Sequence, residues 1–318
     1  MKVKYIKHIK HIFPDIQVAR FNMAVWQKSE ESSLSFIGRE VMAAGEKGEP
    51  DTGILKLFEV NEDGSITNER VIWRPIYEGI NLEDPRALEL PNENLIIGLT
   101  AVLRDKKGLP IPFPAIVKID SIDTWKKELP PFLIIDSFGP GKNLTPISKH
   151  TYIFRPDAPE YFHKLLVFSL HSQIPEKLGD IEFPTNLSWA SWRIGTTMPP
   201  VWLTPNEALF IIHGISIERI DGKEKYIYSI GKAKLIRNKN KFEVIVGKEP
   251  VLTPDDFLDE KGIPLIKELH PELRRVVYSC GGVIKKSSPD MLSLYVNVGD
   301  RTTFEVKMSL EELKKDLF

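Results

Sequence analysis

The sequence has little of several features that would assign a protein to a familiar class. It has one cysteine, Cys280, among 318 residues, which excludes an intramolecular disulfide and fits a reducing compartment. The formal net charge is −1, so there is no basic surplus to neutralise the phosphates of a nucleic acid. No stretch approaches the roughly 20 apolar residues of a membrane span, and the N-terminus lacks the apolar run of a signal peptide. We therefore expect a cytoplasmic protein with neither a nucleic-acid nor a membrane partner.

Helical periodicity is also scarce. The one helix that the sequence predicts lies at residues 308–315, where Ser309 and Glu312 form a capping-box pair. No His, Cys and carboxylate cluster has the spacing of a metal site, and no glycine-rich phosphate loop precedes a helix. We therefore expect no metal and no cofactor. Cys280 ends a strand-like run and is interpreted as a small core residue, not as a nucleophile.

What the sequence does contain is a series of strands. Short β-branched and aromatic runs alternate with turns rich in Gly, Pro, Asn and Asp. Pairs of such runs recur five times, with first members about 55 to 60 residues apart and a longer gap before the last. The first members are residues 34–39, 95–100, 151–155, 208–213 and 292–297. Five units of this size predict an all-β fold, a five-bladed β-propeller with a short C-terminal helix. A two-sheet sandwich is the alternative, but it has little reason to repeat five times.

We interpret the whole chain, residues 1–318, as a single propeller domain. Residues 1–20 are interpreted as an N-terminal arm or strand, and residues 238–275 as an insertion before the last blade. Ligands of propellers bind where the strands facing the central channel meet. Polar residues at or near the first strand of each unit are therefore candidates for one shared site: Arg39, Asp84, Arg155, His213 and Asp300.

Asp84 is the most informative of these candidates, because two acids and an arginine surround a proline just before an apolar run. Pro85 fixes its own φ and is expected to push Asp84 towards an extended backbone. Such a stiff corner suits a catalytic carboxylate, since small misplacement costs rate. A plain turn with an ion pair between Asp84 and Arg86 is the alternative.

Short motifs occur in a fixed order from about residue 20 to about residue 315. They are Phe-Asn-Met-Ala at 21–24, Phe-Ile-Gly-Arg at 36–39, Glu-Asp-Pro-Arg at 83–86, Arg-Pro at 155–156, Arg-Ile-Gly at 193–195, Met-Pro-Pro at 198–200, Ile-His-Gly at 212–214 and Gly-Asp at 299–300. This ordered set resembles glycoside hydrolase family 130, the β-mannoside phosphorylases and related mannosidases, which are five-bladed propellers. Met23 replaces a proline of the family pattern, and Arg193 replaces its usual lysine.

The resemblance implies a role for each matching residue. Asp84 would be the general acid, in some members acting through a hydroxyl of the substrate. The implied binding residues are Asn22, Arg39 and Asp300 for the non-reducing-end sugar, and Arg155, Arg193 and His213 for phosphate. A second phosphate-binding arginine, expected after Arg155, has no clear counterpart.

The reaction that the resemblance implies is inverting cleavage of β-mannosides by inorganic phosphate as co-substrate, giving α-mannose 1-phosphate. An inverting β-mannosidase that uses water would need a second carboxylate as base. The acids Asp157 and Glu160 follow Arg155, but nothing in the sequence marks either one as that base. A non-catalytic carbohydrate-binding propeller is the third reading. The expected partners are a β-mannoside oligosaccharide and phosphate, and a homo-oligomer is left open.

Overall fold

Each repeated unit of the sequence folds as a mainly antiparallel sheet that forms one blade of a propeller. The computed structural model describes residues 6–12, 18–27, 33–46, 49–61, 65–75, 80–91, 94–120, 125, 128–171, 174–220, 222–239 and 241–318. The described strands form five sheets, one for each blade. The predicted five-bladed β-propeller is confirmed.

The first strand of the chain, β1 (Ile6–His11), belongs to the last blade. Blade 1 consists of β2 (Ala19–Trp26), β3 (Leu34–Ala43), β4 (Thr52–Val60) and β5 (Ile66–Trp73). Blade 2 consists of β6 (Asn81–Glu89), β7 (Leu95–Arg104), β8 (Pro110–Ile119) and β9 (Leu133–Ile134). Blade 3 consists of β10 (Gly141–Pro146), β11 (Thr151–Pro156), β12 (Lys164–His171) and β13 (Ile174–Glu182), with a 3₁₀ turn at Pro159–Tyr161.

Blade 4 follows a 3₁₀ turn at Ser188–Ala190 and is the largest blade. It consists of β14 (Arg193–Thr196), β15 (Val201–Trp202), β16 (Glu207–Ile220), β17 (Lys223–Asn238), β18 (Lys241–Val246) and β19 (Arg274–Arg275). The segment expected as an insertion, residues 238–275, overlaps this blade, because β18 and β19 both pair with β17. Between them lie residues 247–273, which include a 3₁₀ turn at Pro254–Phe257.

Blade 5 joins the two ends of the described chain. It consists of β20 (Val277–Ile284), β21 (Met291–Val298), β22 (Thr302–Ser309) and β1, which pairs with β22 as the outermost strand. The remainder of the region read as an N-terminal arm or strand, residues 1–5 and 13–17, lies outside the described residues. The ladder between β1 and β22 holds the last blade to the chain's first strand, so it closes the ring next to blade 1.

The core of the molecule lies between the blades. Five large apolar clusters each join two neighbouring blades, for example Ile37 with Ile97, Ile96 with Phe154, Ile153 with Phe210, Ile211 with Val296, and Tyr295 with Phe36. A blade's middle strands are therefore buried on both faces, as in β7, whose first eight residues are all buried. Burial on both faces explains why the sequence shows continuous apolar runs instead of alternation.

The single described α-helix, α1, spans Leu310–Lys314. It begins at the predicted cap, because the side chain of Ser309 accepts a hydrogen bond from the backbone N–H of Glu312. The buried amine of Lys232 donates to the carbonyl of Lys315 at 2.7 Å, which satisfies an open carbonyl at the end of the helix. Cys280 is fully buried in β20, and burial raises the pKa of its thiol to about 12. The reading of Cys280 as a core residue is confirmed.

A search of the helices in the described part of the chain finds none that is long and apolar enough to cross a membrane.

Candidate active site

A cavity of about 360 Å³ opens at one end of the channel, and all five blades contribute to its lining. Six of the seven sequence-predicted site residues line it: Asn22, Arg39, Asp84, Arg155, His213 and Asp300. They come from β2, β3, β6, β11, β16 and the turn before β22. Arg193 does not belong to the lining. The structure thus brings together residues up to 278 positions apart in sequence (Asn22 and Asp300).

Irregularities in the innermost strands turn polar side chains towards this cavity. The pairing register shifts between Phe21 and Ala24 in β2, and β6 and β10 shift at the matching places. Each shift contains one residue with a left-handed backbone: Asn22 at φ 55°, Asp84 at φ 53° and Asn143 at φ 64°. Asn and Asp tolerate this conformation better than other side chains, and a bulge re-aims the side chain that it carries. Sequence reasoning missed Asn143, although it follows Asp84 by about the same interval that separates Asp84 from Asn22.

The backbone of Asp84 corrects one expectation. Pro85 does not hold Asp84 in an extended conformation, because the bulge in β6 places it in the left-handed region. The stiff corner exists, but the bulge produces it.

The carboxylate of Asp84 is free of the ion pair that the sequence left open. Arg86 donates to the backbone carbonyl of Asp84 at 2.8 Å, while the carboxylate Oδ1 accepts from Asn22 Nδ2 at 2.6 Å. Burial raises the pKa of the Asp84 carboxyl, Arg86 opposes this, and the charge of Glu83 adds to the rise. A carboxyl that holds its proton to higher pH is suited to act as a general acid.

An acidic half of the cavity surrounds Arg39. Its guanidinium donates to Glu83 at 3.1 Å and to the backbone carbonyl of Asp51 at 2.9 Å. Burial disfavours the charge of Arg39, but the nearby carboxylates outweigh burial and raise its pKa. Asn81 donates to the same Glu83 oxygen at 2.9 Å and fixes its position. The carboxylates and amides of this half can accept from, and donate to, the hydroxyls of a sugar ring.

A second, cationic half of the cavity lies around Arg155, whose guanidinium has two donors without a partner among the described residues. Arg155 is 6% exposed, and its Nε and Nη1 have no hydrogen-bond partner in the described residues. Burial lowers the pKa of Arg155, and the charge of Arg193 lowers it further. A buried guanidinium with open donors is costly unless an anion reaches it. Arg155 therefore marks a place for an anion.

His213 lies beside Arg155 and is 1% exposed. Its Nδ1 lies 3.1 Å from the carbonyl of Thr196, which can only accept, so Nδ1 carries the proton. Burial holds the pKa of His213 well below its usual range, with Arg155 and Arg86 lowering it further. The ring is neutral at pH 7, and its Nε2 is an acceptor.

Arg193 is diverted from the cationic half by its neighbours. Its Nη1 pairs with Asp157 at 2.6 Å, and its guanidinium carbon lies 4.2 Å and 4.4 Å from the ring centroids of Phe162 and Trp192. Asp157 itself lines the cavity. Arg193 therefore acts on an anion in the cavity only at longer range.

The floor of the cavity is a hydrogen-bonded hub that links four blades. Arg86 is fully buried and donates to the hydroxyl of Tyr278 and to the carbonyl of Thr196, the latter at 3.4 Å. Asn143 Nδ2 also donates to the Tyr278 hydroxyl, at 2.9 Å. Tyr278 carries no signal in the sequence, and Asn143 carries only its interval from Asp84, because their partners lie on other blades.

Gly195 allows the cationic half to pack. A Cβ at this position would lie 2.3 Å from His213 Cε1 and 2.5 Å from Asn143 Oδ1. We expect Gly195→Ala to displace the imidazole and to destabilise the protein by about 1–3 kcal/mol. Thermal denaturation with and without phosphate measures both effects. Wild-type stability together with unchanged phosphate binding would contradict this account of the packing.

No metal centre is visible in this cavity, since the described residues contain no group of three or more metal-ligating His, Cys, Asp or Glu side chains.

No protein-family model and no curated protein matches this sequence. Solved structures do share its fold. A glycosyl hydrolase from Bacteroides ovatus superposes with a TM-score of 0.61 at 13% identity, covering 92% of this chain and 85% of that one. The mannose phosphorylase MPT-4 from Leishmania mexicana, solved in complex with phosphate ion, superposes with a TM-score of 0.58 at 14% identity, covering 96% and 89%. The chain has the propeller fold of these enzymes.

A third similar structure comes from work on the GH130 family of mannoside phosphorylases. That work describes glycoside hydrolases within the family that target β-1,2 mannosidic linkages in Candida mannan. This third structure superposes with a TM-score of 0.57 at 13% identity, covering 92% of this chain and 85% of that one. The resemblance to glycoside hydrolase family 130 inferred from the motifs is thus confirmed at the level of the fold. At these identities the likeness carries the fold alone.

Proposed function

We propose that this protein cleaves glycosidic bonds as an inverting phosphorylase, acting on β-mannosides with inorganic phosphate and releasing α-mannose 1-phosphate. The observation that carries the proposal is that Arg155, which lines the cavity, has two buried donors, Nε and Nη1, without a partner in the described residues. The β-mannoside is inferred from the motif resemblance and from the mannoside phosphorylases that share the fold.

Asp84 donates the proton in the proposed reaction. The bond from the anomeric carbon to the glycosidic oxygen breaks, and the leaving oxygen receives the Asp84 proton, either directly or through a sugar hydroxyl. A phosphate oxygen forms the new bond from the opposite face, so the configuration inverts. Phosphate arrives as an anion and needs no base, and Arg155 holds it by charge-assisted hydrogen bonds.

The sugar lies in the acidic half in this proposal. Asn22, Arg39 and Asp300 bind hydroxyls of the non-reducing-end ring, while Arg155 and His213 bind phosphate. Arg193 contributes positive charge through its place beside Asp157.

Hydrolysis is the second candidate, and one observation favours it. Asp157 lines the cavity close to Arg155, and a carboxylate there could activate water. Its carboxylate pairs with Arg193 Nη1 at 2.6 Å, which fixes its position at the cavity wall.

Product analysis separates these candidates. β-Mannobiose is incubated with the protein in buffers with and without phosphate, and the products are followed by ³¹P and ¹H NMR, which also report the anomer. We expect α-mannose 1-phosphate, and only when phosphate is present. Free mannose formed at the same rate without phosphate would reject phosphorolysis and make Asp157→Asn the next variant. Binding of the disaccharide without any product would favour a carbohydrate-binding propeller.

The neutral state of His213 predicts which anions bind. Because Nε2 accepts, a bound oxyanion must bring a proton to it, as hydrogen phosphate does and sulfate does not. We expect phosphate to bind about tenfold or more tightly than sulfate at pH 7.5. This preference should persist at pH 5.5, since the lowered pKa keeps the ring neutral into the acidic range. Calorimetric titration with both anions at pH 7.5 and 5.5 measures this, and equal affinities at pH 7.5 would contradict it.

A further inference from the structure

A chain of side-chain amides connects two carboxylates of the cavity. Asn297, on β21, is 1% exposed, and its Nδ2 donates to Asp300 Oδ1 at 2.8 Å and to Asn22 Oδ1 at 3.1 Å. Asn22 in turn donates through Nδ2 to Asp84 Oδ1 at 2.6 Å. The chain crosses from blade 5 through blade 1 to blade 2. Asn297 does not line the cavity, so it acts on a ligand only through these neighbours.

The donor and the acceptor of each hydrogen bond in this series of amides follow from Asp300, the carboxylate at one end of it. Asp300 Oδ2 lies 3.2 Å from Arg274 Nε in an ion pair, and a carboxylate only accepts hydrogen bonds. The amide of Asn297 must therefore present its NH₂ group to Asp300. The second hydrogen of that NH₂ group meets Asn22, so Asn22 must present its oxygen.

The orientation of Asn297 also determines which group Asn22 presents to the proposed acid, Asp84. With its oxygen held by Asn297, Asn22 has only its NH₂ group to offer to Asp84. An N–H bond to Oδ1 requires that this oxygen accept, so Oδ1 cannot carry the carboxyl proton in the same direction. Because the carbonyl oxygen of a neutral carboxyl is the stronger acceptor, this bond favours the Asp84 proton on Oδ2.

We propose that Asn297 is a positioning residue that orients the Asn22 amide and thereby keeps the catalytic proton of Asp84 on Oδ2. This inference rests on the proposed role of Asp84 as general acid. Without Asn297 the amide of Asn22 is free to turn over and to offer its oxygen to Asp84. The carboxyl proton would then be donated to Asn22 and would be unavailable to the substrate.

The change also alters how strongly Asp84 holds its proton. Donation from Asn22 stabilises the ionised carboxylate, so its loss should raise the pKa of Asp84. The other charged or titratable groups that act on Asp84 stay in place in such a variant: Glu83, Arg86, Arg39, Lys142, Tyr278 and Cys280. The expected shift is therefore upward, by about one pH unit.

The kinetic experiment compares Asn297→Ala with Ser293→Ala. Ser293 is a buried polar residue on the same strand but outside the cavity lining, and it serves as a control for loss of a buried hydrogen bond. For Asn297→Ala we expect kcat to fall about 10- to 100-fold with little change in KM for the glycoside. The basic limb of the pH–rate profile should move to higher pH. A purely structural role predicts a lower melting temperature in both variants and no movement of that limb.

A double-mutant cycle with Asn22→Ala tests whether Asn297 acts through Asn22. Once Asn22 is removed, the additional change Asn297→Ala should cost less than twofold in kcat. Independent, multiplicative losses would overturn the inference, as would an Asn297→Ala enzyme with wild-type kcat and pH profile.

A titration that needs no substrate separates this inference from the proposed function. Protein labelled with ¹³C at the aspartate carboxyl carbons is titrated by NMR, and the Asp84 signal is assigned with Asp84→Asn. We expect the Asp84 midpoint to be higher in Asn297→Ala than in the wild type. An unchanged midpoint rejects the role of Asn297 whatever the activity, whereas a shifted midpoint in a protein that cleaves no glycoside rejects only the proposed function.

Discussion

Replacement of Asp84 by asparagine is expected to lower glycosidic cleavage by about 10²- to 10⁴-fold while the propeller stays folded. An amide cannot donate the proton that the leaving oxygen requires. The fold should tolerate the change, because asparagine also adopts the left-handed backbone found at this bulge. The amide oxygen of the new residue can still accept the hydrogen bond from Asn22.

The measurement is the initial rate on β-mannobiose in phosphate buffer, together with the melting temperature. Asp120→Asn is the matched control, since Asp120 is exposed just after β8 and makes the same chemical change outside the cavity lining. An Asp84→Asn enzyme that keeps wild-type activity would exclude Asp84 as the acid. A variant that has lost its cooperative melting would point instead to a structural role for the carboxylate.

Replacement of Arg155 by methionine should separate anion binding from stability. The guanidinium is buried with open donors, so it costs stability in the absence of an anion. We expect Arg155→Met to raise the stability of the free protein by about 1 kcal/mol. At the same time KM for phosphate should rise about 100-fold or more, with a smaller effect on KM for the glycoside. Phosphate should raise the melting temperature of the wild type and not that of the variant.

Arg86→Met is the instructive comparison. Arg86 is also buried, but its Nη1 and Nη2 donate to Asp84, Thr196 and Tyr278, and only its Nε has no partner in the described residues. Its loss takes the donor from the buried Asp84 carbonyl and breaks the bonds to Thr196 and Tyr278, so it should destabilise the protein by about 2–4 kcal/mol. If Arg155→Met instead destabilised the protein like Arg86→Met, with phosphate binding intact, Arg155 would be a structural residue and the anion site would be wrong.

Much of this architecture could be predicted from the residue pattern. Continuous β-branched and aromatic runs, recurring at about 60 residues, indicate blades whose middle strands are buried on both faces. Ser309 marks the start of the C-terminal helix correctly, because a cap depends only on residues three positions apart. Such local signals survive in any tertiary context that keeps the strand or the helix.

The site was predictable where a residue's place follows from its strand. Asn22, Asp84, Arg155 and His213 lie at the same end of channel-facing or adjacent strands, so closure of the ring brings them together. Arg193 was expected among the phosphate-binding residues, and the structure places it outside the cavity lining, against Asp157 and two aromatic rings. The order of residues in the sequence does not reveal that Asp157 and the two rings hold the Arg193 guanidinium away from the cavity.

The sequence alone determines the order and number of the blades, the helix cap and the set of polar residues that lie towards the channel. These features follow from periodicity and turn chemistry, which act over a few residues. Tertiary structure decides the rest. It leaves two donors of Arg155 without a partner in the described part of the chain, and it places the Asp84 carboxylate against Asn22 instead of Arg86. It also connects Asp300 to Asp84 through Asn297 and Asn22. These contacts link side chains from different blades, and hydrogen bonds and charge pairs depend on distances of a few tenths of an ångström that only the closed ring sets.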